Sequence, residues 1–191
     1  MTETSQRLSG FAAGERGTWL IQRSTAVAGE ALPDAARLAI KSPDDASLDG
    51  EHAWCLKGVT SHDRYVTRDE KATLVARQPE LGRPSAACAA LIALRKNAQW
   101  WGLTQDERRQ IVEEQSQHIA IGMRYLPAIA RRLYHCRDLG TAQPFDFLTW
   151  FEYAPEDALA FDELLVSLRA SVEWQFIERE VDVRLIRAVE S

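Results

Sequence analysis

Cysteine is scarce in this chain, and so are long apolar runs and any excess of positive charge. Three cysteines among 191 residues, Cys55, Cys88 and Cys136, with no CxxC pair, provide neither a disulfide framework nor the clustered thiolates of structural zinc. They read as reduced thiols of a cytoplasmic protein. The longest apolar stretch, AACAALIAL, is far too short to span a bilayer, and MTETSQRLSGFAAGERG lacks the basic start and apolar run of a signal peptide. No membrane partner is expected. With 28 acidic against 23 basic residues the formal charge is -5, so no cationic surface large enough to neutralise a nucleic-acid backbone is expected either. What the chain does have is a 46% hydrophobic content, enough to bury a core without staples.

The second half can be read element by element. AALIALRKNAQWW is a strand with a charged end, and LTQDERRQIVEEQSQH starts a helix, with Thr104 and Glu107 spaced as a capping box. Pro127 breaks any continuation. ARRLYHCRDLG then reads as a strand closed by Gly140, with Leu133 and His135 on one face and Tyr134 and Cys136 on the other. PFDFLTWFEY alternates as the next strand. APEDALAFDELLVSLRAS opens with a proline and acids and spaces Phe161, Leu164, Leu165 and Leu168 along one helical face. WQFIEREVDVRLIR alternates again, setting Ile177, Val181, Val183 and Leu185 against Glu178, Glu180, Asp182 and Arg184.

Strand, helix, strand, strand, helix, strand is the ferredoxin-like order, an α+β class in which both helices cover one face of an antiparallel sheet. The first half reads as an abbreviated copy. GTWLIQRSTAVAG and EHAWCLKGVTSHDRYVTR are strands, but the turn-rich KSPDDASLDGE between them offers no full helix, and MTETSQRLSG reads as frayed. A boundary near QPELGRPS divides the chain into residues 1–82 and 83–191. Two such halves are expected to pack as one body, because a half with few helices cannot cover its own sheet.

Taken alone, the polar residues of QHIAIGMRYLPAIARRLYHCRDLG are ambiguous. His118 at the end of a helix more commonly caps carbonyls than binds a ligand. Arg131, on an apolar strand behind Pro127, is either a solvated edge or a cation facing a pocket, and the solvated edge is the commoner case.

The set of Lys96, Trp100 and Trp101 in RKNAQWWGL, His118, and Arg131 in YLPAIARRLYHCRDLG resembles the chlorite dismutase family of haem proteins. GVTSHDRYVTR before it, and FDFLTWFEYAPED and FDELLVSLRASVEWQFIEREVDVRL after it, fit the same pattern, so the resemblance runs from Trp54 to Leu185. It implies two tandem ferredoxin-like halves of the dimeric α+β barrel type and the shorter, homodimeric, cytoplasmic branch of the family. It implies haem b, iron protoporphyrin IX, with His118 as the iron ligand and Arg131 as the charged residue over the opposite face. Glu173 would hold the second ring nitrogen of His118, with Lys96 beside it; Glu152 competes for that role. Trp100 would form a wall of the haem cavity, Trp101 would lie near the subunit contact, and Tyr65 would be a pocket tyrosine. Gln78 is placed on the side of Arg131. The implied reaction converts chlorite to chloride and molecular oxygen through hypochlorite and a ferryl state, with formation of an oxygen–oxygen bond. A coproheme decarboxylase, a haem carrier or sensor without catalysis, and a haem-free module of the same fold are the alternatives; the decarboxylases lack the distal arginine.

Overall fold

The computed structural model describes residues 8–42, 51–60, 67–139 and 141–188. Eight strands run β1 (Leu8–Gly14), β2 (Trp19–Ala28), β3 (Arg37–Lys41), β4 (Trp54–Thr60), β5 (Cys88–Lys96), β6 (Ala130–His135), β7 (Phe147–Tyr153) and β8 (Ile177–Arg187). The helices are α1 (Arg68–Arg77), α2 (Ala98–Gly102), α3 (Gln105–Arg109), α4 (His118–Arg124) and α5 (Ala158–Arg169). Short 3-10 turns cover Pro155–Asp157 and Val172–Phe176, and a π-helical turn, Gln110–Gln115, extends α3.

The strands close into a barrel in the order β1-β3-β2-β8-β5-β7-β6-β4, every neighbouring pair antiparallel. Within it, β4-β1-β3-β2 and β8-β5-β7-β6 repeat one ferredoxin-like strand order. The seams are β2 with β8 and β4 with β6. Side chains alternate across each strand. Phe11, Leu38, Leu56, Leu91, Tyr134, Cys136, Leu148, Trp150, Val181, Val183 and Leu185 fill the interior, so one core draws on both halves. Trp150 is fully buried at its centre, with Trp19 edge-on at 5.2 Å.

The outer face of the second half carries another apolar layer. Ala90, Ile92 and Leu94 of β5 and Phe151 and Tyr153 of β7 pack against Ile121 of α4 and Phe161, Leu164, Leu165 and Leu168 of α5. This explains why β5 reads as an unbroken apolar run: both of its faces are covered. The four-residue face foreseen for the helix in APEDALAFDELLVSLRAS is the buried face of α5.

Several elements depart from the sequence reading. Residues 8–10 of the segment read as frayed lie in β1, and Arg37–Lys41 forms β3. Thr67 begins α1 with a full capping box, its N–H donating to Glu70 Oε2 at 2.6 Å while Glu70 N–H donates to Thr67 Oγ1 at 3.2 Å. The stretch 103–118 is not one helix ending at His118: it turns π-helical, Gln117 takes φ +53, and His118 opens α4. Left-handed backbone at a residue with a side chain costs about 1 kcal/mol and redirects the chain sharply. Most of KSPDDASLDGE lies outside the described residues.

Candidate functional site

The site lies between the outer face of the second-half sheet and the helices that cover it. Lys96 ends β5, His118 starts α4, Arg131 is the second residue of β6, and Glu173 sits in the turn from α5 to β8. The sequence separates these four widely; the fold gathers Lys96, His118 and Glu173 into direct contact. His118 Nδ1 lies 2.7 Å from Glu173 Oε2, and Lys96 Nζ donates to Glu173 Oε1 at 2.8 Å. Glu173 N–H donates to the buried Ser116 Oγ at 2.9 Å, which fixes the carboxylate's backbone from the π-turn.

Glu173 is 7% exposed and Lys96 4%. Burial alone would push the Glu173 carboxyl up, but the charges of His118 and Lys96 and the hydrogen bonds from both outweigh it and bring it down to about 2. For Lys96, burial pulls the ammonium below its ordinary value, against the charge and hydrogen bond of Glu173 and the charge of Asp146. Its backbone N–H donates to Asp146 Oδ2 at 2.8 Å, anchoring the end of β5.

His118 and Arg131 line one cleft that opens to solvent. Ile92, Leu94, Phe151, Leu164, Leu168 and Trp174 are among its apolar walls. Such a cleft, apolar with a few convergent polar groups, has the lining character of a cofactor site. Arg131 is paired in register with Phe151 of β7, which sets it on the outer face of the sheet. Its carbonyl accepts from Gln78 Nε2 at 2.8 Å. The His118 side chain is 25% exposed, and with Nδ1 committed to a carboxylate its Nε2 is the nitrogen left to carry a lone pair for a metal.

One expectation is corrected here. The sequence reading of His118 as a helix C-cap fails, because it is the first residue of α4 and its ring is engaged by Glu173. Trp100 is not among the cleft's lining residues. It is buried, with Lys96 Nζ 4.2 Å from its ring centroid and Phe176 against it, and Trp174 is among the residues that line the cleft. The choice between Glu173 and Glu152 is decided by place: Glu152 accepts from Trp150 Nε1 and from the Gly82 N–H, on the inner side of β7. Trp101 is half-buried, stacked on Phe147 and capped by Arg137 at 3.7 Å. Tyr65 lies outside the described residues.

Ser116, Trp174, Glu180 and Asp182 escaped the sequence reading. Glu180 and Asp182 alternate along β8 as a solvated face would, yet they are 0% and 3% exposed. The signal that could have found them is the pair of arginines, Arg169 and Arg184, at the end of the preceding helix and on the same strand.

A closed barrel of two ferredoxin-like halves, with a carboxylate-held imidazole and an arginine facing one cleft on its outer side, defines an α+β barrel protein with a candidate binding site on its second sheet. The crystal structure of a dimeric chlorite dismutase from Nitrobacter winogradskyi superposes with a TM-score of 0.87 at 53% identity, covering 94% of this chain and 99% of that one. This chain belongs to the chlorite dismutase family. The chlorite dismutase of Ideonella dechloratans is 30% identical over 122 residues, which is 59% of this chain but only 38% of that relative. A mutant chlorite dismutase from Candidatus Nitrospira defluvii, solved with cyanide, shares the fold at a TM-score of 0.68 and 21% identity, over 98% of this chain and 92% of its own. No protein-family model matches the chain.

Proposed function

We propose that this protein converts chlorite to chloride and molecular oxygen with haem b held in the cleft between β5, β7, α4 and α5. The observation that carries the reading is that one imidazole, pinned through Nδ1 by the Glu173 and Lys96 pair, shares a cleft with one guanidinium. The donor set fits haem: a single neutral ring nitrogen suits an iron that brings its other four ligands with it, and apolar walls suit a porphyrin face. His118 Nε2 would hold the iron. Bound there, haem iron supplies the electron transfer that chlorine–oxygen bond cleavage requires.

The chain's own residues do the rest. Glu173, ionised over the ordinary pH range, holds the Nδ1 proton of His118, fixes its tautomer and raises its basicity. Lys96 limits that effect by sharing the carboxylate. Arg131 offers a permanent charge to a small anion, and the apolar walls reduce the screening of that charge by water. Hypochlorite, the first product of cleavage, must stay in the cleft until the oxygen–oxygen bond forms, and the same guanidinium retains it.

The proposal extends to a homodimer, on the strength of the dimeric Nitrobacter winogradskyi relative, with Trp101 near the contact. It also takes residues 1–82 and 83–191 as the two halves, and a cytoplasmic location, in keeping with Cys55, Cys88 and Cys136 as free thiols. Two measurements separate it from its rivals. A Soret band on adding hemin distinguishes it from a haem-free module, and oxygen release on adding chlorite distinguishes it from a carrier, a sensor or a coproheme decarboxylase. Arg131→Ala should keep the Soret band while turning over fewer times before inactivation and leaking more hypochlorite, because the small anion loses its charge contact. Unchanged oxygen yield and lifetime in that variant would reject the role of Arg131.

A further inference from the structure

Beneath α5 the outer face of β8 carries two carboxylates where an apolar layer would otherwise continue. Glu180 is fully buried and Asp182 nearly so. Glu180 Oε1 accepts from Arg169 Nε at 2.9 Å and Nη2 at 2.6 Å, and Arg169 Nη2 also donates to Asp182 Oδ2 at 3.0 Å. Asp182 in turn receives Arg184 at 2.6 Å and 3.1 Å, and Arg184 reaches Asp162 of α5 at 2.8 Å while lying over the Phe161 ring. The second oxygen of Glu180 is given to something else: Oε2 accepts from Trp174 Nε1 at 2.7 Å.

Trp174 is therefore held at both ends. Its indole lines the cleft and is tied to β8 through Glu180, while its backbone N–H donates to Ser171 O at 3.2 Å within the turn Val172–Phe176. The preceding residue is Glu173, whose carboxylate engages His118 and Lys96. Loss of the Trp174–Glu180 bond would free the indole, and with it the turn that carries Glu173, to shift relative to the imidazole. Buried, charge-assisted hydrogen bonds of this kind resist such movement better than apolar packing, because each is directional and costly to leave unmade.

We infer that Glu180, through Trp174, is a positioning residue for the Glu173 and His118 pair: the Arg169–Glu180–Trp174 chain sets where the carboxylate meets the imidazole. The inference rests on the functional reading above for its importance to catalysis, but not for its geometry. Neither Glu180 nor Arg169 lines the cleft; they act through the indole.

Two conservative variants test it. Trp174→Phe keeps an aromatic ring in the wall and removes the N–H donor; Glu180→Gln keeps the size and leaves a single oxygen for two donors. Arg169→Lys, which preserves charge toward both carboxylates, serves as the comparison. In the hemin-loaded protein the readout is the iron–histidine stretching frequency of the ferrous form, which falls when the carboxylate loses its grip on the ring. Both variants are expected to bind hemin fully while shifting that frequency toward the value of a Glu173→Gln reference, with Arg169→Lys closer to the wild type. In the haem-free protein the Nδ1 proton of His118, followed by NMR, should exchange with water about fivefold to tenfold faster in Trp174→Phe, the size of one lost hydrogen bond. A wild-type frequency and wild-type exchange in Trp174→Phe overturn the inference. Should the wild type take up no hemin, the functional reading fails and the exchange measurement still decides this one.

Discussion

The two halves of the barrel share a strand order and differ in what covers them. In β5–β8, α2 to α4 connect β5 to β6 and α5 connects β7 to β8, so the outer face of the sheet is roofed and a cleft forms beneath the roof. In β1–β4, residues 15–18 join β1 to β2 with no helix between, and β2 runs exposed from Gln22 to Val27. A four-residue link suffices because β2 starts where β1 ends and continues along the barrel toward β8. Closure of the barrel needs only the inner faces, which both halves supply. A binding site needs the second layer, and among the described residues the layer that forms the cleft lies on the second half.

The difference can be broken most sharply at His118. His118→Ala should abolish the Soret band of the hemin-treated chain while leaving the barrel folded, as read by absorbance per chain and far-UV circular dichroism. A variant with an undiminished band would remove the imidazole from the site and with it the special status of the second half.

A smaller effect is expected at Glu173. Its carboxyl is held down to about 2 from an ordinary value of 4.5, so it contributes stability that is present above 4.5 and is lost as pH falls toward 2. Glu173→Gln should cost about 3 kcal/mol at neutral pH, because it leaves the Lys96 ammonium buried without its counter-ion. Its urea midpoint should then fall less steeply than that of the wild type between pH 4.5 and 2. Parallel curves would show that the pair is not linked to folding.

The smallest effect belongs to the first half. Thr25→Ala, on the exposed run of β2, should change stability by less than about 0.5 kcal/mol and leave hemin uptake unaltered. A loss of hemin in that variant would mean that the bare sheet takes part in binding after all.

The elements that were legible are those with strong local signals. Phe161, Leu164, Leu165 and Leu168 announce α5 by helical spacing, and β7 and β8 announce themselves by alternation. Two of the missed helices show why elements escape a sequence reading. Thr67 and Glu70 carry the same capping signature as Thr104 and Glu107, but α1 has only Leu74 buried, so no apolar stripe drew attention to it. In α4 the defining event is a left-handed Gln117, which composition does not reveal. At the site, the residue types of Lys96, His118, Arg131 and Glu173 were readable through the family resemblance. The place of Trp174 in the cleft lining was not, since in sequence an aromatic residue looks the same whether it lines a cleft or packs a core.

By itself the sequence determined the α+β class, the strand alternation and the identity of the groups able to do chemistry, because side-chain type and local periodicity are properties of neighbours along the chain. The tertiary structure decided which carboxylate meets His118, that Glu180 and Asp182 are buried, and that the two half-sheets close on each other. Those outcomes depend on contacts between residues as far apart as His118 and Glu173, or Trp19 and Arg187. No window of sequence contains the partner, and a charged residue on an alternating strand is solvated or buried according to what the fold lays over it.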